Sequence, residues 1–434
     1  MNSLTETLAR ATLRGSDGGA FPKSAKAVDF PLVAGFYLEK APSDDEIKTF
    51  VDALEAFPEL RSAATPRDSK SVKNLRHLRW ECVEDVGNVK AMRRFKRVEV
   101  ETAKELSKVF DDAMLEQFDT SAPLWDCVIV TRKKGVSSVW DDDQTGYPEP
   151  PVVLVRVSHA IGDGIALVDV LKRVSSALDG GDVKLLSFKR RAQATKRSVL
   201  AAIWAFITFI FVCMYGAMKA LLTAAGPYDT KTTFKGSRPP GCTVNDIVVA
   251  ALAGAIQAYH AKVGDKSATK NPFLRSATPY AFPERVTGAL TNSWTFVSLT
   301  FPMGVMSATT RLQKAKKTCD FMKRSPEPYV TRWLNKFVNA AGPDVQRKVV
   351  FDYMSRHSMV FTNVPGPTET IVLMGSRVRD IVFACANLVN QVSVVSYSGS
   401  LRLTLVVDPD ATPDAQYIGD MFKNEIECLR KEVL

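Results

Sequence analysis

The sequence predicts an α/β fold, and three observations carry that reading. Strand-length runs rich in β-branched and aromatic residues alternate with runs whose apolar residues recur every three or four positions. At 434 residues, 46% of them hydrophobic, the chain is long enough for a large core and for two domains or one two-lobed unit. An uncharged stretch at 199–218 separates one α/β block from a second.

Taken in order, "PLVAGFYLE" at 31–39 reads as a strand, and "SDDEIKTFVDALEAF" at 43–57 as a helix opened by a Ser/Asp cap signal. "PLWDCVIVTRK" (123–133) and "PVVLVRVSH" (151–159) read as two strands joined by a polar, acidic loop bearing Pro and Gly. Next comes "VLAAIWAFITFIFVCMYGAM" at 199–218, twenty residues without a charge, flanked by Lys196, Arg197 and Lys219. At about 1.5 Å per residue it matches the roughly 30 Å of a hydrocarbon core. The second block opens with Thr243 and Asp246 spaced as a capping box, and Val248, Leu252, Ile256 and Tyr259 form a helical stripe. Strands follow at 293–302 and 358–364, then a pair, "QVSVVSYS" and "LRLTLVVD", joined through Gly399. Ile418, Phe422, Ile426, Leu429 and Val433 mark a closing amphipathic helix.

Composition narrows the function classes. A net charge of +10 suits nucleic acid, an anionic membrane surface or a phosphorylated small ligand. The basic clusters "RRFKR" and "KRRAQATKR" lack zinc-finger spacing and any RNA-binding signature, so no nucleic-acid partner is expected. Seven cysteines, an odd number with no CxxC pair, point to reduced thiols and to no metal site. The first 27 residues lack the apolar region of a secretory signal.

The segment "VLVRVSHAIGDGIALVDVL" at 154–172 joins a strand to a helix through a short turn. His159 falls at the strand's C-terminal end, Gly162 and Gly164 permit a sharp turn, and Asp163 can cap the following helix. From the residues alone two accounts stand. Either the histidine is held on a stiff turn for chemistry, or Asp163 is only a cap, Gly164 only a turn residue and His159 an ordinary polar residue.

Four ordered motifs separate those accounts: "SHAIGDG" at 158–164, "PLW" at 123–125, "ND" at 245–246 and "NVPGP" at 363–367. With the tail "VNQVSVVSYSGSLRLTLVVDPD", they make residues 30 to 430 resemble the wax ester synthase/diacylglycerol acyltransferase family, a branch of the CoA-dependent acyltransferases with the HHxxxDG motif. The motif's first histidine is Ser158 here, and the second is kept as His159. Successive strand residues point to opposite faces, so only one of the two can face a given channel. The "DFGWG" signature of plant specialised-metabolite acyltransferases is absent, which favours lipid acceptors.

The resemblance implies a chloramphenicol acetyltransferase-like fold of two lobes with mixed sheets and a tunnel between them. The expected layout is an extension at 1–27, an N-terminal lobe at 28–187, a linker carrying the hydrophobic helix at 188–235 and a C-terminal lobe at 236–434. It implies an acyl-CoA-dependent O-acyltransferase that esterifies a long-chain alcohol, diacylglycerol or both, with acyl-CoA as co-substrate and no cofactor. His159 would be the general base without a covalent intermediate, Asp163 would fix the turn, and Asn245 would donate to the oxyanion. Pro123, Leu124 and Trp125 would pack around the acyl channel, with Trp125 reading equally as plain core. Gly164, Asn363, Pro365 and Gly366 would be architecture beside the site. The basic surplus would meet CoA phosphates and anionic headgroups.

A single membrane crossing at 199–218 would put the lobes on opposite faces, so the segment either dips into one leaflet or packs on the protein. Membrane association at the endoplasmic reticulum, facing the cytosol, or at lipid droplets follows from the implied substrates. A serine hydrolase lacks its GxSxG elbow. The alternative is a non-catalytic acyl-CoA or lipid-binding protein of the same fold, for which Ser158 is the support.

Overall fold

Why residues so far apart in the chain meet at one site follows from two mixed sheets. The computed structural model describes residues 31–54, 56–66, 78–82, 94–118, 122–136, 140, 147–159, 161–185, 232–235, 242–265, 273–282, 290, 292–341, 343–408 and 412–433. The extension at 1–27 and the hydrophobic stretch at 199–218 lie outside the described residues. Among those described, no helix is long and apolar enough to cross a membrane.

The first sheet is seven-stranded, with order β4-β5-β6-β1-β13-β12-β7. Its members are β1 (Pro31–Leu38), β4 (Phe95–Val100), β5 (Trp125–Arg132), β6 (Val152–Ser158), β7 (Ser175–Ala177), β12 (Ile371–Leu373) and β13 (Ser376–Cys385). β4 and β5 run parallel, and the other neighbours are antiparallel. α1 (Asp44–Leu54) and α3 (Gly164–Val174) share one apolar core with this sheet, and α2 (Ala103–Leu115) shares another. Each helix begins as the capping signals dictate: Ser43 and Glu46 exchange hydrogen bonds ahead of α1, and Thr102 accepts from the Glu105 amide of α2.

The second sheet is six-stranded, with order β10-β9-β11-β14-β15-β8. It comprises β8 (Thr232–Lys235), β9 (Phe273–Ala281), β10 (Trp294–Pro302), β11 (Met359–Pro365), β14 (Asn390–Tyr397) and β15 (Ser400–Val406). β11 runs parallel to both of its neighbours, and the β14–β15 hairpin turns at Ser398 and Gly399, both with positive φ. β2 (Ser62–Pro66) and β3 (Leu78–Cys82) form a separate pair.

Residues 371–385 pair into the first sheet although the strands on either side of them in the chain belong to the second. The 236–434 stretch thus supplies strands to both sheets, and β8, from the expected linker, is an edge of the second. A buried ion pair between Arg402 of β15 and Asp380 of β13 ties the sheets together.

α4 (Val244–Lys262), α5 (Ala308–Arg324) and α8 (Gln416–Val433) form one core with the second sheet. α4 starts on the expected capping box, the Thr243 side chain accepting from the Asp246 amide and the Asp246 carboxylate from the Thr243 amide. The spacing predicts one apolar stripe on α4, but Val248 to Ala253 and Ala255 are all buried. Small residues explain the difference: Ala250, Ala251, Ala253 and Gly254 let α5 and α8 close over the helix. A Cβ at Gly254 would collide with the Arg311–Glu425 ion pair that joins those two helices. The closing helix α8 buries Ile418, Phe422, Ile426 and Leu429 as its periodicity requires. α6 (Glu327–Ala341) packs on β10, and α7 (Pro343–Ser355) packs against α6.

Candidate active site

Strand alternation places His159. Along β6, Val153, Val155 and Val157 face the core shared with α1 and α3, whereas Leu154 and Arg156 face the other way. Ser158 follows Arg156 and is fully buried at 0% exposure, so position 158 belongs to the sheet's far side. His159, one residue past the strand, emerges on the side of Val157.

The end of β6 is clamped by neighbours. Ser158 N donates to the Leu124 carbonyl at 2.9 Å, and Trp125 pairs in register with Val157. Trp125 is itself fixed, its indole donating to the Leu60 carbonyl at 2.8 Å, while Arg94 donates to the carbonyls of Pro123 and Trp125. The "PLW" motif therefore builds the platform under the histidine. The chain then turns, with Ile161 N donating to the Ser158 carbonyl at 3.1 Å.

Asp163 holds both sides of that turn. One carboxylate oxygen caps α3 by accepting from the amides of Ile165 and Ala166, at 3.1 and 3.0 Å. The other accepts from Ser293 N at 2.9 Å, at the start of β10 in the second sheet. A single side chain thus fixes the histidine turn against the segment carrying Asn292 and Trp294.

Those two residues complete the surroundings of His159. Asn292 Nδ2 donates to the His159 carbonyl at 3.0 Å, which leaves Asn292 Oδ1 as an acceptor for His159 Nδ1 at 3.2 Å and for the Trp294 indole at 3.3 Å. Because Oδ1 cannot donate, Nδ1 must carry the imidazole proton. The lone pair then sits on Nε2, which has no hydrogen-bond partner among the described residues. The Trp294 ring lies 5.3 Å from the imidazole, centroid to centroid. Burial holds the imidazole below its ordinary range, opposed by a hydrogen bond to its own carbonyl, by the Asp163 charge and by the Asn292 bond.

Neither Asn292 nor Trp294 stands out in the sequence as a site residue. "TNSW" at 291–294 has no chemical signature, and only contacts made across the two sheets, by Asp163 and by His159 itself, make it part of the site.

Asn363 Nδ2 donates to Asn245 Oδ1, which brings the two asparagines of the sequence motifs together at the start of α4 and on β11. With its oxygen so engaged, Asn245 keeps its own Nδ2 for donation. Neither is hydrogen-bonded to His159. The next residue on β11, Val364, lies 3.6 Å from where a Cβ on Gly164 would stand. Pro365 ends β11, and Gly366 follows where no side chain fits, since a Cβ there would run into the Ser396 carbonyl.

An apolar cavity of about 120 Å³ opens beside these residues. Ala34, Trp125, Val157, Gly164, Leu167 and Gly366 are among its walls, so it joins the "PLW", "SHAIGDG" and "NVPGP" motifs. Its lining is hydrocarbon, suited to an alkyl chain.

The chain is similar to several known proteins. Residues 290–430 match the WS/DGAT C-terminal domain. Wax ester synthase/diacylglycerol acyltransferase 5 of Arabidopsis thaliana is 20% identical over 391 residues, covering 75% of this chain and 75% of the relative. Its counterpart numbered 2, from the same plant, is 23% identical over 372 residues, covering 73% and 74%. The solved wax ester synthase/diacylglycerol acyltransferase from Marinobacter aquaeolei VT8 superposes with a TM-score of 0.56 at 16% identity, covering 93% of this chain and 95% of that one. The first condensation domain of the calcium-dependent antibiotic synthetase shares the fold alone, with a TM-score of 0.54 at 10% identity over 94% and 92% of the two chains. With its four motifs brought together by the two sheets, the chain is similar to the wax ester synthase/diacylglycerol acyltransferases over about three quarters of its length, and residues 290–430 match their C-terminal domain.

Proposed function

We propose that His159 is the general base of an acyl-CoA-dependent O-acyltransferase whose acceptor is a long-chain alcohol, diacylglycerol or both. Similarity to proteins named wax ester synthase/diacylglycerol acyltransferase supports the acyltransferase activity. The observation that carries the role of His159 is its tautomer: Asn292 engages Nδ1 as a donor and leaves Nε2 to accept a proton.

In this mechanism the acceptor hydroxyl gives its proton to Nε2 as its oxygen attacks the thioester carbonyl. The tetrahedral intermediate collapses, the C–S bond breaks, and the imidazolium returns the proton to the departing CoA thiolate. Ester and free CoA leave, and no bond to the enzyme forms. A neutral imidazole is required at the start, and burial keeps His159 in that state at neutral pH. Asn245 is the oxyanion donor in this reading, its side chain oriented by the bond that its oxygen accepts from Asn363. The hydrocarbon cavity beside Gly164 and Gly366 takes part of the acyl chain.

The alternative of a binding protein without catalysis rests on Ser158. That side chain is buried on the far face of β6, which supports a role for it in the fold and a separate role for His159. Product formation from labelled palmitoyl-CoA with hexadecanol or dioleoylglycerol tests the reading. Ester from the wild type and its loss in His159→Ala support it; full activity in His159→Ala overturns the mechanism, and acyl-CoA binding without ester from any acceptor overturns the enzyme.

A further inference from the structure

The face of the first sheet that packs with α1 and α3 has a regular floor. Read across the three middle strands β6, β1 and β13, the register gives three rows: Val157–Leu32–Cys385, Val155–Ala34–Phe383 and Val153–Phe36–Ile381. Residues directly opposite in antiparallel pairs point to one side, and positions two apart along a strand share it. Every residue of the two outer rows is buried. Every residue of the middle row is only half-buried, although it lies at the centre of a seven-stranded sheet with helices packed over it.

What the middle row faces is the apolar cavity, whose walls include Ala34, Val155 and Phe383. Leu167 and Leu171, one turn apart on α3, line it from the helix side. Gly164, the first residue of α3 and five positions after His159, carries the cavity to the histidine turn.

Ala34 is the smallest of the nine floor residues. Valine suits a strand better, and a small side chain in a core forfeits packing. Room for a hydrocarbon chain accounts for that loss. From the strand spacing of about 4.8 Å, the middle row runs about 10 Å from β6 to β13. An extended alkyl chain built of bonds of about 1.5 Å advances about 1.3 Å per carbon, so about eight carbons cross the floor, with Ala34 beneath their midpoint.

We propose that Ala34 sets the length of chain that this cavity accepts. The proposal rests on the reading that the cavity takes part of the acyl chain. In a close-packed interior, each carbon added to residue 34 takes the room of about one carbon of the chain.

Calorimetric titration of the full protein with S-ethyl-, S-butyl-, S-hexyl- and S-octyl-CoA, thioethers that cannot transfer an acyl group, tests this without catalysis. Wild-type affinity should rise about fourfold per methylene while the added carbons enter the cavity. Ala34→Leu should cut the octyl-to-ethyl affinity ratio by about tenfold or more. Ala34→Val, a residue favoured in strands, should cut it by about threefold or more, and it decides the matter if the leucine variant does not fold. A ratio unchanged in the folded variants overturns the proposal while the acyl-CoA reading stands, whether their binding is intact or equally weakened for both thioethers. A wild type that binds every thioether alike, or none, overturns the proposal together with the assignment of the cavity to the acyl chain. The expected ratios without ester from any acceptor uphold the proposal and overturn the catalytic reading alone.

Discussion

His159 and His357 lie against the same strand, the first beside Trp294 at the start of β10 and the second beside Ser298 at its middle. Burial lowers the basicity of both, and His357, at 1% exposure, is pushed down to about 4. They differ in what their nitrogens do. His357 Nδ1 donates to the Tyr353 carbonyl at 2.7 Å, and Nε2 accepts from the Ser298 hydroxyl at 2.7 Å, so both are spent inside the fold. Among the described residues His159 spends only Nδ1. A serine and a histidine within hydrogen-bond reach would pass for a nucleophile and its base, yet that pair is sealed. What sets the proposed base apart is a nitrogen uncommitted among the described residues, and not a shifted basicity.

Exchanging the two histidines' fates should separate chemistry from stability. His159→Ala should lower kcat about 10²- to 10⁴-fold, the range for a general base, while acyl-CoA affinity by calorimetry stays near that of the wild type. His357→Gln should leave kcat within about threefold, since it touches no proposed reacting group, and equality of the two losses would break the comparison.

The next effect is on stability against pH. An unfolded histidine titrates near 6.5 whereas folded His357 titrates at about 4, so only the unfolded state gains the proton between those values. Its contribution is therefore complete above pH 6.5 and is lost as pH falls toward 4, by roughly 3 kcal/mol in all. Denaturant titrations across that window should show the fall, and His357→Gln should flatten it.

Ser158→His would rebuild the family's histidine pair on a fully buried face. Overpacking of that kind costs about 1–3 kcal/mol, so thermal melts should show a less stable protein, with no gain in kcat. A rise in activity would mean that position 158 reaches the site after all.

The smallest effect sharpens the tautomer argument. Asn292→Asp puts a carboxylate on Nδ1, favours the imidazolium, and should move the acid limb of kcat/KM up by about one pH unit. A profile unchanged from wild type would show that Asn292 does not orient the ring.

Much of this was legible from residues alone. β1, β5, β6 and the β14–β15 hairpin lie where alternation and turn residues put them, and the caps at Ser43, Asp163 and Thr243 form as their side chains dictate. The position of His159 followed from strand period and a turn. What stayed hidden depends on pairing across distance: Asn292 and Trp294 reach His159 from the second sheet, on a segment that Asp163 holds through the Ser293 amide, and the return of β12 and β13 to the first sheet has no local signature. The α4 stripe misled because its alanines read as a neutral face until two helices closed over them.

That return of β13 governs how the chain must be made. Leu32 of β1 pairs with Cys385 of β13, about 350 positions later, so a central strand of the first sheet is synthesised near the beginning and its neighbour near the end. A nascent chain released before residue 385 holds β1 with one open edge, and closing so long a loop is slow. Folding one lobe at a time is not available to this architecture, and truncation after the second sheet's early strands leaves an aggregation-prone edge in place of half an enzyme.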